Sequence, residues 1–153
     1  RSNAGFSLVE LIIVIAIMVI LIGVLAPQFI KYVESSKKST DIQNVDEIIT
    51  AINVYCADPD NSPSSLSGKT LDLTLTPVIL ADGTTYTDIQ KVLYEAGIKS
   101  YSLKSDEWFA SGSTKLTLTV TVTDGSPSYK ITGANTDYDI LAGKKKKTEP
   151  ATP

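Results

Sequence analysis

The feature that most constrains this chain is an apolar block near its start. Residues 6–26 carry only two polar side chains, Ser7 and Glu10, and residues 11–26 carry none. As a helix, this block would extend about 31 Å, close to the thickness of a bilayer core. Its Ile, Val and Leu residues would also suit a strand, but strands rarely exceed about ten residues. A helix that is apolar on every face has to lie in lipid or against other protein. A cleavable secretory signal fits poorly, because the apolar run is too long and no A-x-A site follows it. A plain signal anchor is the simplest alternative.

Glu10 separates these readings. A carboxylate in an apolar helix costs about 2.5–3.5 kcal/mol on insertion scales, so such groups usually have a partner. The only cation nearby is Arg1, the sole arginine of the chain. A free α-amino group on Phe6 would lie one helical turn from Glu10, and it exists only if the chain is cut between Gly5 and Phe6. The run Gly5-Phe6-Ser7-Leu8-Val9-Glu10-Leu11-Ile12 resembles the cleavage motif of type IV prepilins and pseudopilins. The resemblance is close over residues 5–33 and architectural beyond them.

The resemblance implies that a prepilin peptidase cuts after Gly5 and methylates the new N-terminal Phe6. It implies that Glu10 pairs with the N-terminal amine of a neighbouring subunit, and that Pro27 is the family's helix-kinking proline. The implied partners are copies of the same chain joined through their N-terminal helices, the peptidase, an inner-membrane assembly platform and, before assembly, membrane lipid. The implied location is the cytoplasmic membrane as a precursor and then a surface filament serving adhesion, twitching motility or DNA uptake. A pseudopilin of a type II secretion or competence machine shares the motif and is the alternative. A monomeric membrane-anchored binding module is a further one, and it predicts no cleavage and no polymer.

Physical chemistry supports the resemblance. A helix apolar all round can pass from lipid into a helical bundle without a change of solvent, and outside the membrane only lateral packing keeps it dry. A sequestered Glu10–amine pair would set axial register more than it would stabilise. Pro27 removes one i to i−4 hydrogen bond, so a bend or loosened turn is expected near residues 23–27.

The expected organisation has four parts. Residues 1–5 are a leader end or an appended remnant. Residues 6–30 form a transmembrane and polymerisation helix. Residues 31–143 form a globular head that includes the second half of the helical spine, and residues 144–153 form a basic tail. From residue 31 to 57 the pattern turns amphipathic, with Ile42, Val45, Ile49, Ile52 and Cys56 as a stripe widened by Ile48 and Tyr55. Weak helix formers at residues 35–40 make that stretch the least stable of the spine. Asp58, Pro59, Asn61 and Pro63 end the helix. Asp58, Asp60 and Ser62 share the alternate spacing of a calcium loop, but the loop's sixth-position glycine is missing and Lys69 stands at its twelfth.

Beyond the spine, Leu71, Leu73 and Leu75 alternate with polar residues as a short strand. Thr87 caps a helix whose face is Ile89, Val92, Leu93 and Ala96, closed by Gly97, and Tyr101 and Leu103 suggest another short strand. Residues 115–123 alternate strictly between Leu or Val and Thr, and Asp124-Gly125 then turns the chain toward Tyr129 and Ile131. A further segment near residues 138–142 is expected to pair next. Trp108 and Phe109 are expected in the core. The fold class is therefore α+β and pilin-like: a long N-terminal helical spine, apolar then amphipathic, packed on a small antiparallel sheet.

Composition narrows the function. The chain has no His, one Cys and a net charge of −3. The usual triad, a Cys-rich zinc site and an internal disulfide are all excluded. Cys56 reads as a buried small hydrophobe. Lacking a disulfide, the chain resembles disulfide-free pilins of Gram-positive type, or pseudopilins, more than Gram-negative major pilins. No catalytic residues, metal ligands or cofactors are expected, and the chain is not read as an enzyme. Asn135, Asp137 and Asp139 gather oxygen ligands as the calcium loop of type II secretion pseudopilins does, but their spacing matches no calcium motif. Lys144, Lys145, Lys146 and Lys147 form a basic run, read first as a solvated end. Its functional reading is weak attachment to wall polymer, DNA or an acidic head.

Overall fold

The structure is a computed structural model, and it describes residues 6–82, 85–109 and 112–133. Gly5, the expected strand near 138–142, the oxygen-bearing residues Asn135, Asp137 and Asp139, and the Lys144 to Lys147 run lie outside the described residues. The elements in chain order are α1 (Leu8–Ala57), a 3-10 turn (Pro63–Leu66), β1 (Thr70–Thr74), β2 (Val78–Ile79), α2 (Asp88–Glu95), β3 (Ser100–Tyr101), β4 (Lys115–Thr123) and β5 (Ser126–Thr132). Two compact units divide the chain, the first ending at Ser36 and the second beginning at Lys37.

In the second unit, three strands form an antiparallel sheet in the order β1-β4-β5, and β2 pairs with β3 as a separate ribbon. Register follows from alternation. Leu71 faces Leu118, Leu73 faces Leu116, and Leu118 faces Ile131. All five side chains are buried, because a period of two sends them to one face. The hairpin closes at Asp124 (φ 51°) and Gly125 (φ 77°), the pair of positive φ values that matches the twist of the flanking strands. Gly133 has φ 85°, and a Cβ there would sit 2.7 Å from the Lys115 carbonyl oxygen, so the chain can leave β5 by this route only through a glycine.

That covered face packs on the second half of α1. Val45, Ile48 and Ile52 join Leu71, Leu116 and Leu118 in one core with Ile89 and Leu93 of α2. The expected antiparallel sheet on an amphipathic helix is thus what forms. The buried line on the helix is Asp41, Val45, Ile48 and Ile52, while Ile42, Ile49 and Cys56 are only partly buried. Trp108 is buried as expected, whereas Phe109 is half-buried. Leu75 lies beyond the end of β1 and is exposed, and Ala96 is the exposed C-cap of α2 rather than part of its face. Thr87 does cap α2: its hydroxyl accepts from the Gln90 N–H and the Gln90 side chain accepts from the Thr87 N–H. This reciprocal pair satisfies two N–H groups that the first turn leaves without helical partners.

At the end of α1, Asp58 accepts the Asp60 N–H and the Asn61 amide donates to the Tyr55 carbonyl. Turn residues thus satisfy the helix terminus. No metal-binding group of His, Cys, Asp and Glu occurs among the described residues.

Candidate assembly site

The first unit is the apolar half of α1. Helix starts at Leu8, so Ser7 is its N-cap and Glu10 stands at the third helical position. The Ser7 N–H donates to Glu10 Oε2 at 2.9 Å, and the Ser7 carbonyl accepts from the Leu11 N–H at 3.2 Å. Ser7-x-x-Glu10 is therefore half of a capping box. That spacing stands in the sequence, where Glu10 is also a charge in need of a cation. Its carboxylate is in fact turned back toward the chain start, on the residue next to Phe6. A carboxylate is favoured there by the partial positive charge of the helix N-terminus.

Phe6 precedes the helix and is 88 % exposed. Every large apolar side chain from Leu8 to Leu25 is exposed, and the apolar window of the helix has none of its residues buried. The helix is long and apolar enough to cross a membrane. Pro27 lies inside it, and helix runs on both sides. With no N–H to donate, Pro27 leaves the Gly23 carbonyl without its usual partner. Of the four residues singled out from sequence, Glu10 is thus brought to the residue beside Phe6, Pro27 lies far along the same helix, and Gly5 is outside the described residues.

The second unit contains a polar anchor that the sequence reading missed. Asp41 is completely buried on the core line of α1. Its Oδ1 accepts the Lys104 N–H at 2.6 Å, and its Oδ2 accepts the Ser105 N–H at 2.8 Å and the Trp108 indole N–H at 2.9 Å. One carboxylate therefore fixes the loop after β3. Lys38, one turn earlier, lies 5.4 Å from the Trp108 ring centroid and 2.5 Å from Glu107. Four residues later than Asp41 comes Val45, so the signal available was an acid in phase with the apolar line, together with the chain's only Trp.

Along the sheet side of α1, the Tyr129 hydroxyl donates to Asn53 Oδ1 at 2.6 Å. Burial pushes the Tyr129 phenol up to about 12 and also raises the Cys56 thiol. A thiol held protonated is a poor nucleophile, so Cys56 acts as part of the packing.

An apolar N-terminal helix whose second half packs on a small antiparallel sheet is a pilin-like α+β architecture. The family described as "Prokaryotic N-terminal methylation motif" matches residues 1–26. The chain is 40 % identical over 58 residues to "Type IV major pilin protein PilA" of Myxococcus xanthus (strain DK1622). That match covers 38 % of this chain and 26 % of the relative, so the chain matches about a quarter of the relative's length. No solved structure gives a significant match. The chain is thus similar to an N-terminal methylation motif and, over 58 residues, to a type IV major pilin, and one cysteine is consistent with a disulfide-free form.

Proposed function

We propose that this chain is the structural subunit of a type IV pilus. It enters the cytoplasmic membrane as a prepilin, is cut after Gly5, is methylated on Phe6 and polymerises through its N-terminal helix into a surface filament. The observation that carries this reading is the exposure of the whole apolar half of α1 with a single carboxylate, Glu10, in its first turn. Such a surface is stable only in lipid or in a bundle of like helices.

Phe6 supplies the amine once the bond to Gly5 is cut. Glu10 supplies the charge that pairs with the amine of a neighbouring copy and sets axial register. Residues 11–26 supply the area that packs. The head presents the outer surface of the fibre and performs no chemistry. The assembly platform and the peptidase are the partners this sequence of events requires. Immunogold electron microscopy of cells that make the chain should show long surface filaments labelled by antibody to the head. Label confined to the membrane, with no filament, would contradict the proposal. Short fibres that never leave the envelope would instead assign the chain to a pseudopilus.

A further inference from the structure

The apolar run of α1 has one charge on each side of it. Between Glu10 and Lys31 no charged residue occurs. Both belong to the same helix, Leu8–Ala57, and their separation along it corresponds to about 32 Å of rise. The hydrocarbon core of a bilayer is about 30 Å thick, so a helix seated across it places both charges at its edges. Around Lys31 the side chains change in kind. The stretch without polar residues ends at Ala26, and Pro27 and Gln28 follow it. Then come Phe29, 68 % exposed, and Tyr32, 75 % exposed, on either side of an exposed Lys31. Phe29, Lys31 and Tyr32 lie within one turn and therefore at nearly one depth along the axis. At about 100° per residue they point to different sides and ring the helix. A tyrosine, apolar in its ring and polar at its tip, sits well at headgroup level. A lysine there keeps its stem in the apolar layer and its ammonium among the phosphates.

We propose that Phe29, Lys31 and Tyr32 anchor the chain to phospholipid headgroups, with the Lys31 ammonium on lipid phosphate, and that this anchor fixes the depth of the chain in the membrane before assembly. The inference rests on the membrane-inserted precursor stage of the pilus reading and not on polymerisation. The spacing selects lipid over a second copy, because a protein partner imposes no separation of about 30 Å between the two charges. An apolar helix by itself leaves depth loosely set, since sliding it by a turn exchanges one aliphatic side chain for another. Lys31 and Tyr32 remove that freedom. Inward movement by a turn carries the ammonium into hydrocarbon, and outward movement strips it of phosphate and exposes Phe29 to water. With Lys31 at one headgroup layer, Glu10 comes to the other. Its carboxylate then stays at the polar edge. Phe6, four positions before it, lies outside the hydrocarbon, where a peptidase can reach the bond to Gly5.

The test uses the full chain with Cys56→Ala, in vesicles of phosphatidylcholine and phosphatidylglycerol. Each sample carries a single nitroxide, at Leu25→Cys, Ile30→Cys or Ser36→Cys, all exposed positions. Collision with oxygen, which concentrates in hydrocarbon, and with a nickel chelate, which stays in water, reports depth. Leu25 should read as hydrocarbon, Ile30 as the phosphate layer and Ser36 as water. Lys31→Glu should raise nickel-chelate access at Ile30 at least about threefold, because the reversed charge is repelled by anionic lipid. Lys31→Arg should leave that access unchanged. A reading at Ile30 equal to that at Leu25 or at Ser36 would overturn the inference, and so would equal access in Lys31→Glu and its parent. Filaments on cells together with such a failed profile would remove the anchor alone. The expected profile in a chain that makes no filament would keep the anchor and remove the pilus reading, and a nitroxide at Leu25 that reads as water would end both.

Discussion

Replacing Asp41 by Ala is expected to destabilise the head by about 3–5 kcal/mol, seen as a large fall in the urea midpoint. The reason is what remains after truncation. The Lys104 and Ser105 N–H groups and the Trp108 indole N–H all point at the lost carboxylate, and each buried donor left without a partner costs about 1–3 kcal/mol. Against a total stability of about 5–15 kcal/mol for a typical domain, that loss decides whether the head folds. Asp41→Asn should not rescue it, because an amide NH2 would face N–H donors. Trp108→Phe is the informative comparison. It keeps most of the buried ring, removes one donor and should cost less than Asp41→Ala. Equal stability of Asp41→Ala and the parent chain would show that the loop after β3 is held by packing alone.

The second large effect concerns Glu10. Glu10→Ala should reduce filament yield at least about tenfold, because truncating one partner of a buried charge pair costs about 2–5 kcal/mol, and each 1.4 kcal/mol is a factor of ten. The head should melt as in the parent chain, since Glu10 accepts a hydrogen bond from Ser7 and the head unit begins at Lys37. Glu10 has two roles in this account, and Glu10→Gln separates them. The amide oxygen still accepts the Ser7 N–H and keeps the cap, but no charge remains to meet an amine. Glu10→Gln should therefore fail in assembly as Glu10→Ala does. Normal filaments from Glu10→Gln would reduce Glu10 to a helix cap.

Much of the fold can be read from local pattern. β4 and its hairpin stand out because strict Leu/Val–Thr alternation and Asp124-Gly125 carry both register and turn. α2 stands out because Thr87 opens it and Gly97 follows it. What escapes a local reading are contacts that join distant segments. Asp41 is in phase with the apolar line of α1, but nothing near it in the sequence pairs with it, and the loop at 104–108 supplies its three donors more than sixty positions away. β2 and β3 are two residues each, too short for a period of two to register, and they exist because they pair with one another. Leu75 continues an apparent strand, but the chain leaves the sheet after Thr74. Cys56 and Ile49 sit at helical spacing beside the core line rather than on it, because a stripe of spacing 3 and 4 defines a face only to within about one residue. In the N-terminal unit the opposite holds. Composition alone identifies the apolar helix, and Ser7-x-x-Glu10 encodes the cap, while in the proposed filament its surface is covered by other copies of the chain.

The central claim is that Phe6 becomes the N-terminus and that its amine enters the assembly with Glu10. Intact-mass and fragment-ion mass spectrometry of the chain purified from surface filaments tests this most directly. The account predicts a mature chain that begins with N-methyl-Phe6, heavier by one methyl group than the sequence from Phe6 onward. A filament subunit that still carries Gly5, or that begins at any other residue, would contradict it.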